Sequence, residues 1–84
     1  MIQNLAVEII SPTGVVFEGK CHMVVIPSVN GDIGVMYNHE SFVAKLKEGK
    51  ISIFKDYDKK TNSFDVEGGF AEIQSEGKLL ILID

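Results

Sequence analysis

The chain has 84 residues, a length that accommodates one domain with one hydrophobic core. Its formal net charge is −4, which argues against a nucleic-acid partner because nucleic acids attract basic surfaces. All 8 basic residues are lysines, so the chain lacks the side chain best suited to grip phosphate and to stabilise phosphoryl transfer. The 45% hydrophobic content is spread along the chain and argues against disorder.

The sequence contains no recognisable targeting or membrane-spanning segment. Residues 1–4 have no basic region and no long apolar core, so they predict neither a secretory signal nor a transit peptide. The longest wholly apolar stretch, residues 79–83, is far shorter than the ~20 residues of a membrane helix. Any membrane association is therefore expected to go through a partner. The single cysteine, Cys21, cannot form an internal disulfide, which fits a reducing compartment.

The predicted elements are short strands separated by turns. Alternating or β-branched apolar residues predict strands, in chain order, at residues 5–10, 15–18, 21–26, 33–36, 51–54, 64–67, 70–74 and 79–83. Strands spaced in this way, with turn residues between them, are typical of antiparallel sandwiches and barrels. We therefore predict an all-β fold over residues 1–84, a single antiparallel β-sandwich or flattened barrel of about 8–10 short strands.

Several boundaries follow from turn residues. Gly19 and Lys20 are expected to end the second strand, and Pro27 is expected to end the third because proline has no N–H to pair. Residues 28–32 are then a loop around the turn dipeptide Asn-Gly. Residues 41–46 fit a strand or a helical turn, and the polar, lysine-rich residues 56–63 fit a hairpin loop.

The most specific segment is residues 31–40, with the sequence GDIGVMYNHE. Asp32 lies between Gly31 and Gly34, and His39 follows five residues after the second glycine. This is not a phosphate-binding loop, because no helix follows it and neither of the glycine-rich nucleotide fingerprints is complete. It resembles the signature of the N-terminal β-sandwich of the ATP synthase epsilon subunit family, whose mitochondrial relative is called delta. In that family the segment reads roughly Gly-acid-apolar-Gly-apolar-x-x-x-His.

The resemblance extends over nearly the whole chain. Five further pieces match the family in order and at compatible spacing: VEIISPTG at 7–14, VVIP at 24–27, LKEG at 46–49 followed by an apolar residue, GGFAEI at 68–73 and LILID at 80–84. The family usually continues into two C-terminal α-helices, whereas this sequence stops at Asp84. The ATPase-inhibiting function of those helices, and the ATP-binding site that some bacterial members have, are therefore not carried over.

The resemblance implies a non-catalytic subunit in the central stalk, or rotor, of the F-type proton-translocating ATP synthase. Such a subunit binds the gamma subunit and the ring of c subunits, and it couples proton flow to ATP synthesis. The catalytic head subunits would be contacted only indirectly, the membrane only through the c-ring, and no cofactor is expected. The isolated domain should be a monomer. Its expected place is the cytoplasmic face of the bacterial plasma membrane, or alternatively the stromal face of the plastid thylakoid.

The resemblance also suggests which residues meet each partner. The expected c-ring contacts are Asp32, Tyr37, Asn38 and His39, and the expected gamma contacts are Ser11, Pro12, Val15, Ile33 and Val35.

Simpler structural roles are open for several of these residues. Asp32 could be a turn aspartate that bonds its own backbone. His39 could be a corner histidine that hydrogen-bonds the loop and packs its ring, a role favoured over metal binding or catalysis. Cys21 and His22 are adjacent in a predicted strand, so their side chains should point to opposite faces and cannot share a metal.

Two other functions remain open on the residues alone. A free-standing β-barrel that binds a small ligand would need aromatic residues around a pocket, and the phenylalanines could supply them, although alternation favours a core role. These are Phe17, Phe42, Phe54, Phe64 and Phe70. A small hydrolase or a cupin-like metalloenzyme would need a cluster of ligands or an activated nucleophile, and the sequence has neither.

Overall fold

The computed structural model describes residues 4–56, 59–74 and 76–84. In these residues it contains nine strands and no helix. The strands are β1 (Leu5–Ser11), β2 (Gly14–Cys21), β3 (Met23–Ser28), β4 (Gly31–Val35), β5 (Phe42–Leu46), β6 (Gly49–Phe54), β7 (Lys60–Val66), β8 (Gly69–Gln74) and β9 (Lys78–Ile83).

The strands form one curled sheet that divides into two halves. Hydrogen-bonded neighbours follow the order β2-β1-β9-β8-β5-β3-β6-β7, and β4 also pairs with β3. We call β2-β1-β9-β8-β5 the first half and β4-β3-β6-β7 the second half. Strand β3 joins them, because it pairs with β6 over residues 23–25 and with β5 at Ser28. The predicted all-β sandwich is confirmed, with one parallel pair, β1 with β9, among antiparallel ones.

A single hydrophobic core draws side chains from both halves. In β1, alternation turns Leu5, Val7 and Ile9 inward, and each is almost fully buried. The other core residues follow the same alternation: Cys21, Val24, Ile26, Val35, Ala44, Leu46, Ile51, Ile53, Val66, Ala71, Ile73, Leu79 and Ile81. Phe17, Ile33, Phe42 and Phe64 pack partly buried against this cluster.

Four predicted boundaries were wrong, in each case because a paired neighbour extends a strand. β2 runs on through Gly19 and Lys20 to Cys21, since all three pair with β1. Pro27 does not end β3; it lies opposite Asp32, and its carbonyl accepts a hydrogen bond from the Lys47 N–H at 2.9 Å.

The other two corrections concern predicted loops. The predicted loop at 28–32 is a tight turn of Val29 and Asn30, with Gly31 and Asp32 already in β4. Residues 60–63, predicted as part of a loop, pair with β6 as the first part of β7. The ambiguous residues 42–46 form strand β5, which pairs with β8 along its whole length.

Gly69 is the position where two backbones approach most closely. Its φ is +138°, and a Cβ built there would lie 2.1 Å from the carbonyl oxygen of Leu82. This close approach to the β9 backbone accounts for the glycine at position 69. Gly14 has nearly the same φ, +139°, but has no atom within 4 Å of such a Cβ.

The two glycines offer a matched test of this close approach. We expect Gly14→Ala to lower the free energy of unfolding by roughly 1–3 kcal/mol, because only the backbone conformation is strained. Gly69→Ala should lower it clearly more, because the new methyl group also displaces the β9 backbone. Urea unfolding followed by circular dichroism measures both losses. Equal losses in the two variants would contradict the close approach.

Candidate functional site

The two ends of the sandwich present different surfaces. The turns at 12–13, 29–30, 47–48 and 67–68 lie at one end together with Asp84, as shown by the pairing of Ser28 with Leu46, of Leu46 with Gly69 and of Gly69 with Ile83. We call this the turn end. The opposite end carries residues 36–41, residues 55–56 after β6 and residues 76–77 before β9, and we call it the corner end.

Asp32 lies at the turn end with an unengaged carboxylate. It is the second residue of β4, opposite Pro27, and its side chain is exposed. It makes no hydrogen bond or ion pair with any other described residue, so the alternative of a turn aspartate that bonds its own backbone does not hold. Glu48, Glu67 and Asp84 lie at the same end. Of the residues in the four turns named above, one is a lysine, Lys47. The turn end is therefore acidic.

Tyr37, Asn38 and His39 lie at the corner end, away from Asp32. From Asp32 to Val35, the rest of β4 advances by three steps of about 3.3 Å, roughly 10 Å in all, and the turn at Tyr37 and Asn38 follows it. Asp32 therefore lies at one end of β4 and the corner residues follow its other end, and the c-ring contact of these four residues stays a prediction.

The corner residues hold the corner itself together. Nδ1 of His39 lies 2.8 Å from the carbonyl oxygen of Glu40, and its ring is 5.0 Å from that of Phe42. The structural role expected for His39, a hydrogen bond to the loop and a packed ring, is confirmed. The ring of Tyr37 lies directly over Gly77, which ties the corner to the turn between β8 and β9.

The five residues predicted for gamma also separate into two groups. Ser11, Pro12 and Val15 lie together around the β1–β2 turn, where the Ser11 hydroxyl lies within hydrogen-bond distance of Thr13 and the carbonyl of Gly14. Ile33 packs against the core and Val35 is 0% exposed, because β4 turns these side chains inward. Val35 has no surface to offer a partner, so its assignment to the gamma contact was wrong.

An exposed apolar patch on the first half was not anticipated from the sequence. Along a line across the strands, Val15 lies opposite Ile10, Ile10 opposite Leu82, and Leu82 opposite Phe70. Val43 and Leu80 lie on the same face, two residues along their strands from this row. The exposed fractions are 58% for Val15, 65% for Val43, 54% for Phe70 and 47% for Leu82. We call these six residues the outer patch.

The cysteine and histidines do not form a metal or catalytic centre in the described part of the chain. Cys21 is a core residue, and burial raises the pKa of its thiol to about 11. The backbone N–H of His22 donates to the carbonyl of Phe54 at 2.9 Å. Among the described residues, no three His, Cys, Asp or Glu side chains come together as metal ligands. No described helix is long and apolar enough to cross a membrane.

The phenylalanines do not line a common pocket. Phe17, Phe42 and Phe64 pack against the core, and the rings of Phe17 and Phe64 lie 5.6 Å apart, whereas Phe70 is exposed. A groove of about 460 Å³ lies instead on the outer face of the first half, lined by charged residues of β1, β2 and β9. The geometry thus offers two surfaces for partners, the outer patch and the turn end.

Comparison with known proteins identifies the family. The sequence profile described as "ATP synthase, Delta/Epsilon chain, beta-sandwich domain" matches residues 4–84. The ATP synthase epsilon chain of Caulobacter vibrioides is 38% identical over 78 residues, which are 93% of this chain and 88% of that protein. The epsilon chain of Campylobacter concisus is 39% identical over 83 residues, which are 99% of this chain and 63% of that one.

Two solved structures share the fold. A chain in the Euglena gracilis mitochondrial ATP synthase, solved as OSCP/F1/c-ring, superimposes with a TM-score of 0.88 at 20% identity, over 99% of this chain and 52% of that one. A chain of the Tetrahymena thermophila central stalk and c-ring does so with a TM-score of 0.77 at 12% identity, over 96% of this chain and 63% of that one. Because the profile spans almost the entire chain, the protein belongs to the ATP synthase delta/epsilon chain family and forms its beta-sandwich domain.

Proposed function

We propose that this chain is a non-catalytic subunit in the central stalk of an F-type ATP synthase. In this function it binds the gamma subunit through the outer patch and the c-ring through the turn end, and it takes part in coupling proton flow to ATP synthesis. Family membership supports the proposal, as do relatives named ATP synthase epsilon chain and a structural relative from a central stalk and c-ring assembly. The single observation that carries it is the exposed apolar row on one face of a domain of this family.

The outer patch has the properties of a protein-binding surface. Exposed apolar side chains that are contiguous and rimmed by charges mark such surfaces, whereas single exposed apolar residues are ordinary. Here Phe70 supplies an aromatic side chain to the row, and aromatic residues are enriched in the cores of protein interfaces. Glu72 and Lys45 lie beside it as a polar rim. Val15, assigned to gamma by the resemblance, belongs to this patch, and Ser11 and Pro12, assigned likewise, border it.

The turn end has the properties expected of a contact with a polar partner. It is built of turns and carries the acidic residues Asp32, Glu48, Glu67 and Asp84. Such a surface favours a partner that carries positive charge, and the charges would steer and orient the encounter. We propose that Asp32 is the c-ring contact and that Tyr37, Asn38 and His39 maintain the corner instead.

The packed interior suits a subunit that transmits force. Among the described residues, large side chains such as those of Leu5, Ile9 and Ile81 have less than 2% of their surface exposed. Interiors of this density resist deformation, so a load applied at one surface is carried to the other. In the proposed function the domain reaches the membrane only through the c-ring, on the cytoplasmic face of the bacterial plasma membrane, with no cofactor and no nucleic-acid partner.

The gamma contact can be tested at Phe70. Replacing this exposed side chain by lysine removes an aromatic contact and places a charge in the interface. We expect Phe70→Lys to weaken binding to the gamma subunit of the same organism at least about tenfold, a loss typical of a residue that dominates an interface. The measurement is titration calorimetry with purified gamma.

Met36→Lys is the matched control, because Met36 is also exposed and apolar but lies outside the outer patch. Its binding to gamma should equal that of the unaltered chain. If Phe70→Lys binds gamma as tightly as the control does, the outer patch is not the gamma contact.

The c-ring contact can be tested at Asp32. Asp32→Lys reverses a charge at the acidic turn end without touching the core, so the fold should be unchanged. We expect this variant, assembled with gamma, to sediment with purified c-rings several-fold less efficiently than the unaltered complex. Asp56→Lys makes the same change in charge at the corner end and should leave sedimentation unaltered. Equal retention of both variants on c-rings would remove Asp32 from the contact.

A further inference from the structure

The outer face of the first half carries three parallel rows of side chains that differ in charge. The first row holds Lys20, Ala6, Lys78 and Gln74, the second holds Glu18, Glu8, Leu80, Glu72 and Val43, and the third is the apolar row of Val15, Ile10, Leu82 and Phe70, which ends at Lys45. Successive rows are two residues apart along β1, β8 and β9, or roughly 7 Å, whereas the bulge in β2 places Val15 three residues from Glu18. A partner that covers this face therefore meets a basic, an acidic and an apolar zone in a fixed order.

The acidic row contains two carboxylates without a partner. Glu8 and Glu18 lie directly opposite each other on β1 and β2. Like charges in this position are unfavourable in a sheet. Neither carboxylate makes a hydrogen bond or an ion pair with another described residue. Glu72 is different, since it accepts a hydrogen bond from Gln74 at 3.1 Å.

A groove runs between these residues. It has a volume of about 460 Å³ and is open to solvent. The small residues Ala6 and Gly19 line it, and Leu80 lines it on the side of the apolar row. Glu8 and Glu18 also line the groove, and Lys20 and Lys78 line it on the side away from the apolar row. This shape and chemistry fit a side chain with an apolar stem and a cationic head.

We propose that the gamma segment that covers the outer patch carries lysine or arginine side chains beside its apolar stripe, and that they bind Glu8 and Glu18 in this groove. The inference rests on the proposed function and adds to it the chemistry and the direction of the partner. A segment placed in the reverse direction would carry its cations to the other side of the apolar row, away from Glu8 and Glu18. The acidic row thus orients gamma on the face, while the apolar row supplies the contact area.

The test is the rate at which gamma associates with a charge-reversed chain. In the double variant Glu8→Lys with Glu18→Lys, attraction becomes repulsion, and we expect the association rate constant to fall by about tenfold or more at ~0.1 M salt. At ~1 M salt the screening length shortens from roughly 10 Å to 3 Å, so most of the difference should disappear. Stopped-flow fluorescence with labelled gamma measures both rates. The neutral double variant Glu8→Gln with Glu18→Gln should show a smaller fall in the association rate constant. It replaces the charge-reversed variant in the test if that variant fails to fold.

The control makes an equal change in charge elsewhere. Glu40→Lys with Asp56→Lys alters two exposed acidic residues at the corner end, and gamma should associate with this variant much faster than with the reversed one. If the reversed, neutral and control variants all associate like the unaltered chain, the acidic row does not guide gamma, although gamma binding itself stands. If the unaltered chain fails to bind gamma at all, the proposed function fails together with this inference.

Discussion

Pairing along both edges of β3 is the constraint on which the rest of the domain depends. One edge holds β4, and the other holds β6 at its beginning and β5 at its end. Two backbone hydrogen bonds of 2.9 Å, from Val29 to Lys45 and from Lys47 to Pro27, fix the crossing between the halves. Val24 and Ile26 are fully buried on this strand. Because β4 pairs with no other strand, the position of Asp32 at the turn end is set by β3 alone.

The two proposed interfaces adjoin along one rim of the molecule. Ile10 and Leu82, in the apolar row, lie close to the ends of β1 and β9, and the next residues along these strands reach the turn end. Gamma and the c-ring can therefore be bound at the same time by neighbouring surfaces of one rigid body. The charges fit two neighbouring interfaces, since the acidic row lies on one side of the apolar row and the acidic turn end lies on the other.

The interiors of the strands could be predicted from the sequence, but their ends could not. Alternation in segments such as 70–74 reports which side chains are buried, and that signal is local. Strand ends depend on the partner: Gly19 and Lys20 continue β2 only because β1 lies beside them, and residues 60–63 join β7 only because β6 does. Pro27 has no N–H and was therefore predicted to end β3. Its carbonyl group still accepts a hydrogen bond from Lys47, so the strand continues.

The candidate surfaces were predicted less well, because an interface depends on which face of each strand is outward. Ile33 and Val35 alternate correctly but on the inner face, and the sequence of β4 does not say which face that is. Tyr37 and His39 follow Asp32 closely in sequence, yet an extended strand carries them to the other end. The outer patch was missed because residues 79–83 are apolar at every position, a pattern that reads as a fully buried strand. Only the register of β8, β9 and β1 shows that Leu82 and Phe70 share an exposed face.

The most direct test of the central claim is photo-crosslinking inside the assembled enzyme. A photoreactive amino acid is placed at position 70 in one variant and at position 32 in another, and the crosslinked products are identified by mass spectrometry from membranes of the protein's own organism. The account predicts that position 70 captures gamma and that position 32 captures the c subunit. Capture of neither subunit from assembled complexes, or of the same subunit from both positions, would contradict it.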